Sequence, residues 1–131
     1  MNSMLDASLS DHPIYRKALD ISKISRRISS CLSQDMSDID ANGMENDLIY
    51  FSGDIVHQSY SLGSEIIKAE AHKHSEKKYK HIESLDRLTI RLINSCKRLE
   101  YANSNSRDFL PILRSEVKKF RKLQHHWMLT L

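Results

Sequence analysis

The sequence predicts an all-α fold, an up-down antiparallel four-helix bundle forming one domain over residues 1–131. Three observations predict it. Glycine and proline are scarce, 3 and 2 in 131 residues, which leaves too little turn punctuation for many short strands and favours long helices. Apolar residues recur at spacings of three and four through four long segments, the mark of a 3.6-residue period. Short connections between long helices make antiparallel neighbours of them. No strand pattern or internal repeat competes, and residues 1–10 read as a flexible tail.

The first helix opens at Asp11, a suitable N-cap, with Pro13 in the first turn where its missing N–H costs little. It runs to about Leu32, with Ile14, Ala18, Ile21, Ile24, Ile28, Cys31 and Leu32 along one stripe. The acidic, polar segment Ser33–Gly43 reads as a loop. A second helix follows from Met44 to Ala71, and its apolar set (Leu48, Ile49, Phe51, Ile55, Val56, Leu62, Ile66, Ile67, Ala69) covers the widest arc. Ser52, Ser59 and Gly63 inside that arc predict a track of small residues where another backbone comes close. After His72–Ser75, Ser75 caps a third helix reaching Tyr101, with Ile82, Leu85, Leu88, Leu92, Cys96 and Leu99 inward. Asn103–Ser106 breaks the pattern. Asp108 then caps a fourth helix, with Pro111 in its first turn and Leu113, Val117, Phe120, Leu123 and Trp127 as its buried face.

Composition excludes several classes. Hydrophobic residues at 40% and charged residues at 28% are ordinary for a soluble globular chain. No apolar run approaches the roughly 20 residues that span a bilayer. MNSMLDASLS lacks the basic and apolar regions of a signal peptide, and Cys31 and Cys96 fall where buried core thiols fall, so the expected location is cytoplasmic. Nothing composes a cofactor site.

Charge is unevenly placed. Residues 1–64 carry 5 Lys/Arg against 9 Asp/Glu, net −4, and residues 65–131 carry 15 against 8, net +7. That asymmetry predicts an anionic partner or a self-partner of complementary sign. On the third helix Lys80, Arg87, Arg91 and Arg98 align within about 40°, opposite the apolar stripe. Arg114, Lys118, Arg121 and His125 align on the fourth helix, and Arg16, Lys23 and Arg27, with Arg26 beside them, on the first. The second helix is acidic instead, with Glu45, Asp47, Asp54, Glu65 and Glu70. Glu76–Lys80 and Glu83–Arg87 have the spacing of helix-stabilising i,i+4 pairs, which would make part of the basic residues a solvated surface. Arg91, Arg98 and most of the fourth helix have no such acidic partner. Arginine's bidentate fit to phosphate makes these stripes candidate nucleic-acid contacts. Without exposed aromatic residues among them, the expected binding is backbone-directed, sequence-tolerant and salt-sensitive. An acidic second helix docking on a basic face of the next copy would instead build a head-to-tail homo-oligomer.

The stretches HPIYRKALDISKISRRI, DLIYFSGDIVHQSYSLGSEIIKA, KHIESLDRLTIRLINSCKRL and SEVKKFRKLQHHW carry a resemblance over about 115 residues. Together they resemble the four-helix-bundle family of the ribosomal RNA intervening-sequence proteins and, nearest within it, the Avd (accessory variability determinant) proteins of diversity-generating retroelements. The intervening-sequence relatives carry an Asn-Ile-Ala-Glu-Gly-like stretch where this chain reads SLGSEIIKAE. The resemblance implies a non-enzymatic accessory that assembles as a pentamer, binds nucleic acid and partners a reverse transcriptase copying a template RNA. A protein-docking bundle without nucleic acid is the alternative.

KKFRKLQHHW, Lys118 to Trp127, concentrates four Lys or Arg, two His and the single Trp. Arg121 and His126 resemble the Arg-x4-His motif of HEPN ribonucleases, in which His moves a proton while Arg stabilises the phosphorane. Lys122 stands where that motif has a small polar residue. His72, His74 and His81, or His125 and His126, do not complete a tetrahedral metal set by spacing. Trp127 reads as a core plug, or part of a subunit contact, rather than a stacking platform.

Overall fold

The computed structural model describes residues 12–36, 44–102 and 109–131, and the side chains of 12–31, 53–101 and 109–131. The expectations for residues 1–10, Asp11, Asn103–Ser106 and Asp108, and for the side chains of Leu32, Glu45, Asp47, Leu48, Ile49, Phe51 and Ser52, lie outside those ranges. Four helices make up the described chain: α1, Pro13–Met36; α2, Met44–Ala71; α3, Lys77–Ala102; and α4, Leu110–Thr130. Among the described residues no helix is long and apolar enough to cross a membrane.

Local chemistry accounts for most of the ends. Pro13 is the first residue of α1, where its fixed φ suits the helix. α1 continues four residues beyond the expected end at Leu32, into Ser33–Met36, because no Gly or Pro occurs before Gly43 to stop it. Ser75 caps α3 as expected, its Oγ accepting from the Lys77 backbone N–H at 3.2 Å. α4 has Phe109 rather than the expected Asp108 at its N-cap, makes no side-chain cap bond there, and carries Pro111 in its first turn. At its other end the Leu131 carbonyl accepts from Lys78 Nζ at 2.9 Å, so a cation from α3 covers a helix end that carries partial negative charge.

α1 packs on α2 and α4, and α3 packs on the same two helices. Ser25 meets Ser59 and Tyr15 meets Gly63 between α1 and α2. Glu65 meets His81 and Gln58 meets Ser95 between α2 and α3. Arg114 meets Glu100, and Gln124 meets Thr89, between α4 and α3. In each of these seams the numbering rises on one helix as it falls on the other, as antiparallel neighbours require.

The core is the apolar stripes brought together. Ile14, Ala18, Ile21 and Ile28 of α1 meet Ile55, Leu62, Ile66 and Ala69 of α2. Leu85, Leu92, Cys96 and Leu99 of α3, and Leu113, Val117, Phe120 and Trp127 of α4, close the other side. Each fully buried Ile, Leu or Phe contributes roughly 1.5–3 kcal/mol by leaving water. Ile24, Ile67, Leu88 and Leu123 pack at the margin and are only partly buried, and Cys31 is half-buried rather than a core thiol. Cys96 is fully buried, which pushes its thiol up to about 12, with Glu100 adding to the rise and Arg114 opposing it. It is therefore a packing residue rather than a nucleophile.

Polar groups also enter the core. Ser25 Oγ donates to the Ile21 carbonyl at 2.9 Å and lies 2.6 Å from Ser59 Oγ. A hydroxyl has one proton, so Ser59 donates to Ser25. Thr89 and Gln124 form a second buried pair between α3 and α4. The small-residue track thus brings α1 and α2 close, but through side chains rather than a bare backbone. At Gly63 the neighbour is the edge of the Tyr15 ring, 3.6 Å from where a Cβ would stand. That is ordinary van der Waals contact, so Gly63→Ala is expected to stabilise the fold by about 0.5–1 kcal/mol through helix propensity. A urea midpoint that falls instead would place something less yielding than a ring edge at that site.

Trp127 seals one end of the bundle. It is 2% exposed, and its Nε1 donates to Glu70 Oε1 at 2.8 Å, joining α4 to α2 across the core. This is the core plug expected of it.

Candidate nucleic-acid interface

Helical phase places the basic residues, because whatever lies opposite a buried stripe must face water. Lys80, Arg87, Arg91 and Arg98 are all exposed on the outer face of α3. At 1.5 Å per residue the row is about 27 Å long. None of the four forms an ion pair among the described residues. The two i,i+4 pairs expected to neutralise the row, Glu76–Lys80 and Glu83–Arg87, do not form. Ion pairing among the described residues mostly crosses between helices or uses i,i+3 spacing. Arg91 and Arg98 flank a cleft between α2 and α3 that also holds Asp54, Gln58, Asn94 and Ser95. Ser95 Oγ donates to Gln58 Oε1 at 3.1 Å, which fixes the Gln58 amide there.

The stripe on α4 is largely neutralised. Arg114 is half-buried and its Nη1 donates to Glu100 Oε2 at 2.8 Å. Arg121 is exposed but lies 4.0 Å from Asp86 Oδ1. Lys118 alone of the three is exposed without an acidic partner among the described residues. On α1, Arg16, Lys23, Arg26 and Arg27 are exposed and unpaired among the described residues. Lys23 and Arg27 share a shallow cleft with Lys17, Asp20 and Glu116 at the α1–α4 seam. The bundle therefore does not merge the three stripes into one patch. It leaves one uncompensated row on α3 and a second group of cations on α1.

That α1–α4 seam carries a testable pair. Lys17 Nζ donates to Glu116 Oε2 at 2.6 Å, and this bond holds the Glu116 carboxyl below its usual range, with partial burial opposing and Lys119 assisting. A lowered carboxyl pKa means stability that is complete above the ordinary value of 4.5 and is lost as pH falls below it. Glu116→Gln is expected to cost about 0.5–1 kcal/mol at neutral pH. The gap from wild type should close on acidification. A gap independent of pH would assign the loss to packing.

Several residues matter here that sequence reasoning missed. Tyr60, Tyr79 and Tyr101 are 73%, 58% and 94% exposed, which corrects the expectation that no exposed aromatics accompany the cations. Two of them lie on α3, next to the row. The spacing held the signal, since Tyr101 stands three residues after Arg98 and therefore close to its face.

Chemistry other than anion binding finds less support. Arg121 and His126 are both exposed, but five residues apart on α4 they diverge by about 140°. His125 instead shares with Arg121 a cleft that includes Glu83 and Asp86. His72 and His81 stack, with centroids 5.6 Å apart and planes 9° from parallel, and His81 Nδ1 lies 2.8 Å from Glu65 Oε2. Stacked rings aim their nitrogens along parallel planes rather than at one point. Among the described residues no three His, Cys, Asp or Glu side chains gather as a metal set.

No protein-family model, curated protein or solved structure matches the chain.

Proposed function

We propose that the chain is a non-enzymatic nucleic-acid-binding accessory, acting in the cytoplasm as a homo-oligomer alongside a reverse transcriptase and its template RNA. The observation that carries the nucleic-acid part is the row Lys80, Arg87, Arg91 and Arg98, exposed on α3 without an ion pair among the described residues. Four unneutralised cations on one face attract a chain of phosphates, and releasing its counterions drives the association. The reverse-transcriptase partner follows from the resemblance to Avd proteins. Self-assembly draws support from Ile112 and Leu129, which stand 50% and 76% exposed on α4. Docking through the acidic side of α2 is less favoured, because Glu65 and Glu70 already bind His81 and Trp127 within the bundle.

The test is fluorescence anisotropy of a labelled RNA carrying both paired and unpaired segments, titrated with salt. Binding should weaken linearly in log salt, with a slope of about −0.7 to −0.9 for each phosphate contact. Absence of binding at low salt would overturn the proposal, and a flat salt profile would remove its phosphate basis.

A further inference from the structure

We propose that the α3 face takes single-stranded rather than duplex nucleic acid, with Tyr101 as a platform on which an unpaired base stacks. The inference rests on the nucleic-acid reading above and specifies its ligand.

Tyr101 is the most exposed of the large apolar and aromatic side chains described, at 94%. An isolated exposed tyrosine means little, and its surroundings carry the argument. It follows Arg98 by three residues, so its side chain leaves the helix about 60° from that arginine and one turn further on. Lys97 is exposed beside it. A phosphate held by Arg98 would leave the attached base within reach of the ring.

The ring has both faces free of any described neighbour. Tyr79, near the other end of the row, has Lys78 Nζ 5.3 Å from its ring centre and so already has a cation beside it. Tyr15, the aromatic residue of α1, lies against Gly63 and is half-buried. On α3 an exposed ring stands on the same helix as the cationic row, whereas the exposed Tyr60 belongs to α2 and lines a cleft with Arg26 of α1. Two further acids lie along the row: Glu83 is exposed one turn before Arg87, and Asp54 lines the cleft with Arg91 and Arg98 from α2. Within the segment from Arg98 to Tyr101 the acid is Glu100, which is half-buried and held by Arg114 Nη1 at 2.8 Å.

A protruding ring discriminates between forms of nucleic acid. In a duplex each base already stacks on its neighbours, whereas an unpaired base presents a free face. A cationic track with aromatic platforms is the common solution for single strands, tolerant of sequence because every base has such a face. The 27 Å row, of about that length by helical rise, would follow several nucleotides of backbone and deliver one end of them to Tyr101.

The experiment uses the full chain and labelled oligouridylate, whose bases stack weakly on one another, beside the same strand annealed to oligoadenylate. Tyr101→Ala should weaken oligouridylate binding about fivefold to 150-fold, the range for losing one stacked base. Tyr101→Phe should keep most of the affinity, and the duplex should bind more weakly than the free strand. Thermal unfolding by circular dichroism checks that each variant folds, which full exposure of the side chain favours. Oligouridylate binding that is unchanged in Tyr101→Ala would overturn this inference while leaving the phosphate row standing. Equal loss in Tyr101→Ala and Tyr101→Phe would also overturn it, by assigning the contact to the hydroxyl. Duplex binding as tight as the free strand would do the same. Failure of both probes at low salt would fall on the proposed function itself.

Discussion

Truncating Trp127 to alanine is expected to cost about 3–5 kcal/mol of folding stability. The side chain is 2% exposed and closes the end of the bundle, so its loss leaves a cavity that the surrounding core can fill only by moving helices. Against a total stability of about 5–15 kcal/mol for a domain of this kind, the loss is large enough to unfold part of the population. Trp127→Phe separates the two roles of the indole. It keeps most of the ring but removes the N–H that Glu70 accepts, and the expected cost falls to about 1–1.5 kcal/mol. Urea unfolding followed by circular dichroism measures both. Should Trp127→Ala cost under about 1 kcal/mol, in the range of a surface change, the tryptophan would not be sealing this core.

The largest expected effect on binding belongs to Arg87→Glu/Arg91→Glu. Both residues are exposed on α3 and free of ion pairs among the described residues, so reversing them leaves the core untouched and stability within about 0.5 kcal/mol of wild type. Four contacts to a single strand give a salt slope near −2.8, and removing two brings it to about −1.4. The two new carboxylates would repel the phosphates beside them, so the affinity should drop more than tenfold at low salt. The comparison that decides is Arg16→Glu/Lys23→Glu on α1. If both double variants lose affinity equally, the ligand spans two sides of the bundle. If the α1 variant alone loses it, the binding face is not α3.

How far the sequence reveals this molecule depends on whether a property belongs to one helix or to two. α2 begins at Met44 and ends at Ala71 as the sequence predicts, because Gly43 precedes it and the apolar pattern ends at Ala71. Ile21, Leu85, Leu92 and Phe120 are buried where the 3.6 period puts them. The exposure of Lys80, Arg87, Arg91 and Arg98 follows from the same phase. What failed required knowing which helices touch and in what register. Ser25, Thr89 and Gln124 stand outside the apolar stripes the sequence offers, yet each is buried, with a polar partner on a neighbouring helix or one turn back. Arg114 looks free until α3 supplies Glu100 from the facing helix. Glu76 and Glu83 look like local partners but leave Lys80 and Arg87 alone, since an exposed i,i+4 pair gains only a few tenths of a kcal/mol for ordering two long side chains. Tyr101 was legible and passed over, its exposure implied by the same angles that placed Arg98.

The position of the single tryptophan has a practical consequence. An indole surrounded by aliphatic side chains emits at shorter wavelength than one in water, so the emission of Trp127 reports whether the bundle is closed. It lies against α2 and the core, away from the outer face of α3, so a ligand held there would leave its colour unchanged. The chain thus contains a built-in optical gauge of its folded state that is blind to what its cationic face holds. One cuvette can then follow unfolding by the wavelength of intrinsic emission and occupancy by a labelled strand, with the intensity corrected for the strand's own ultraviolet absorption.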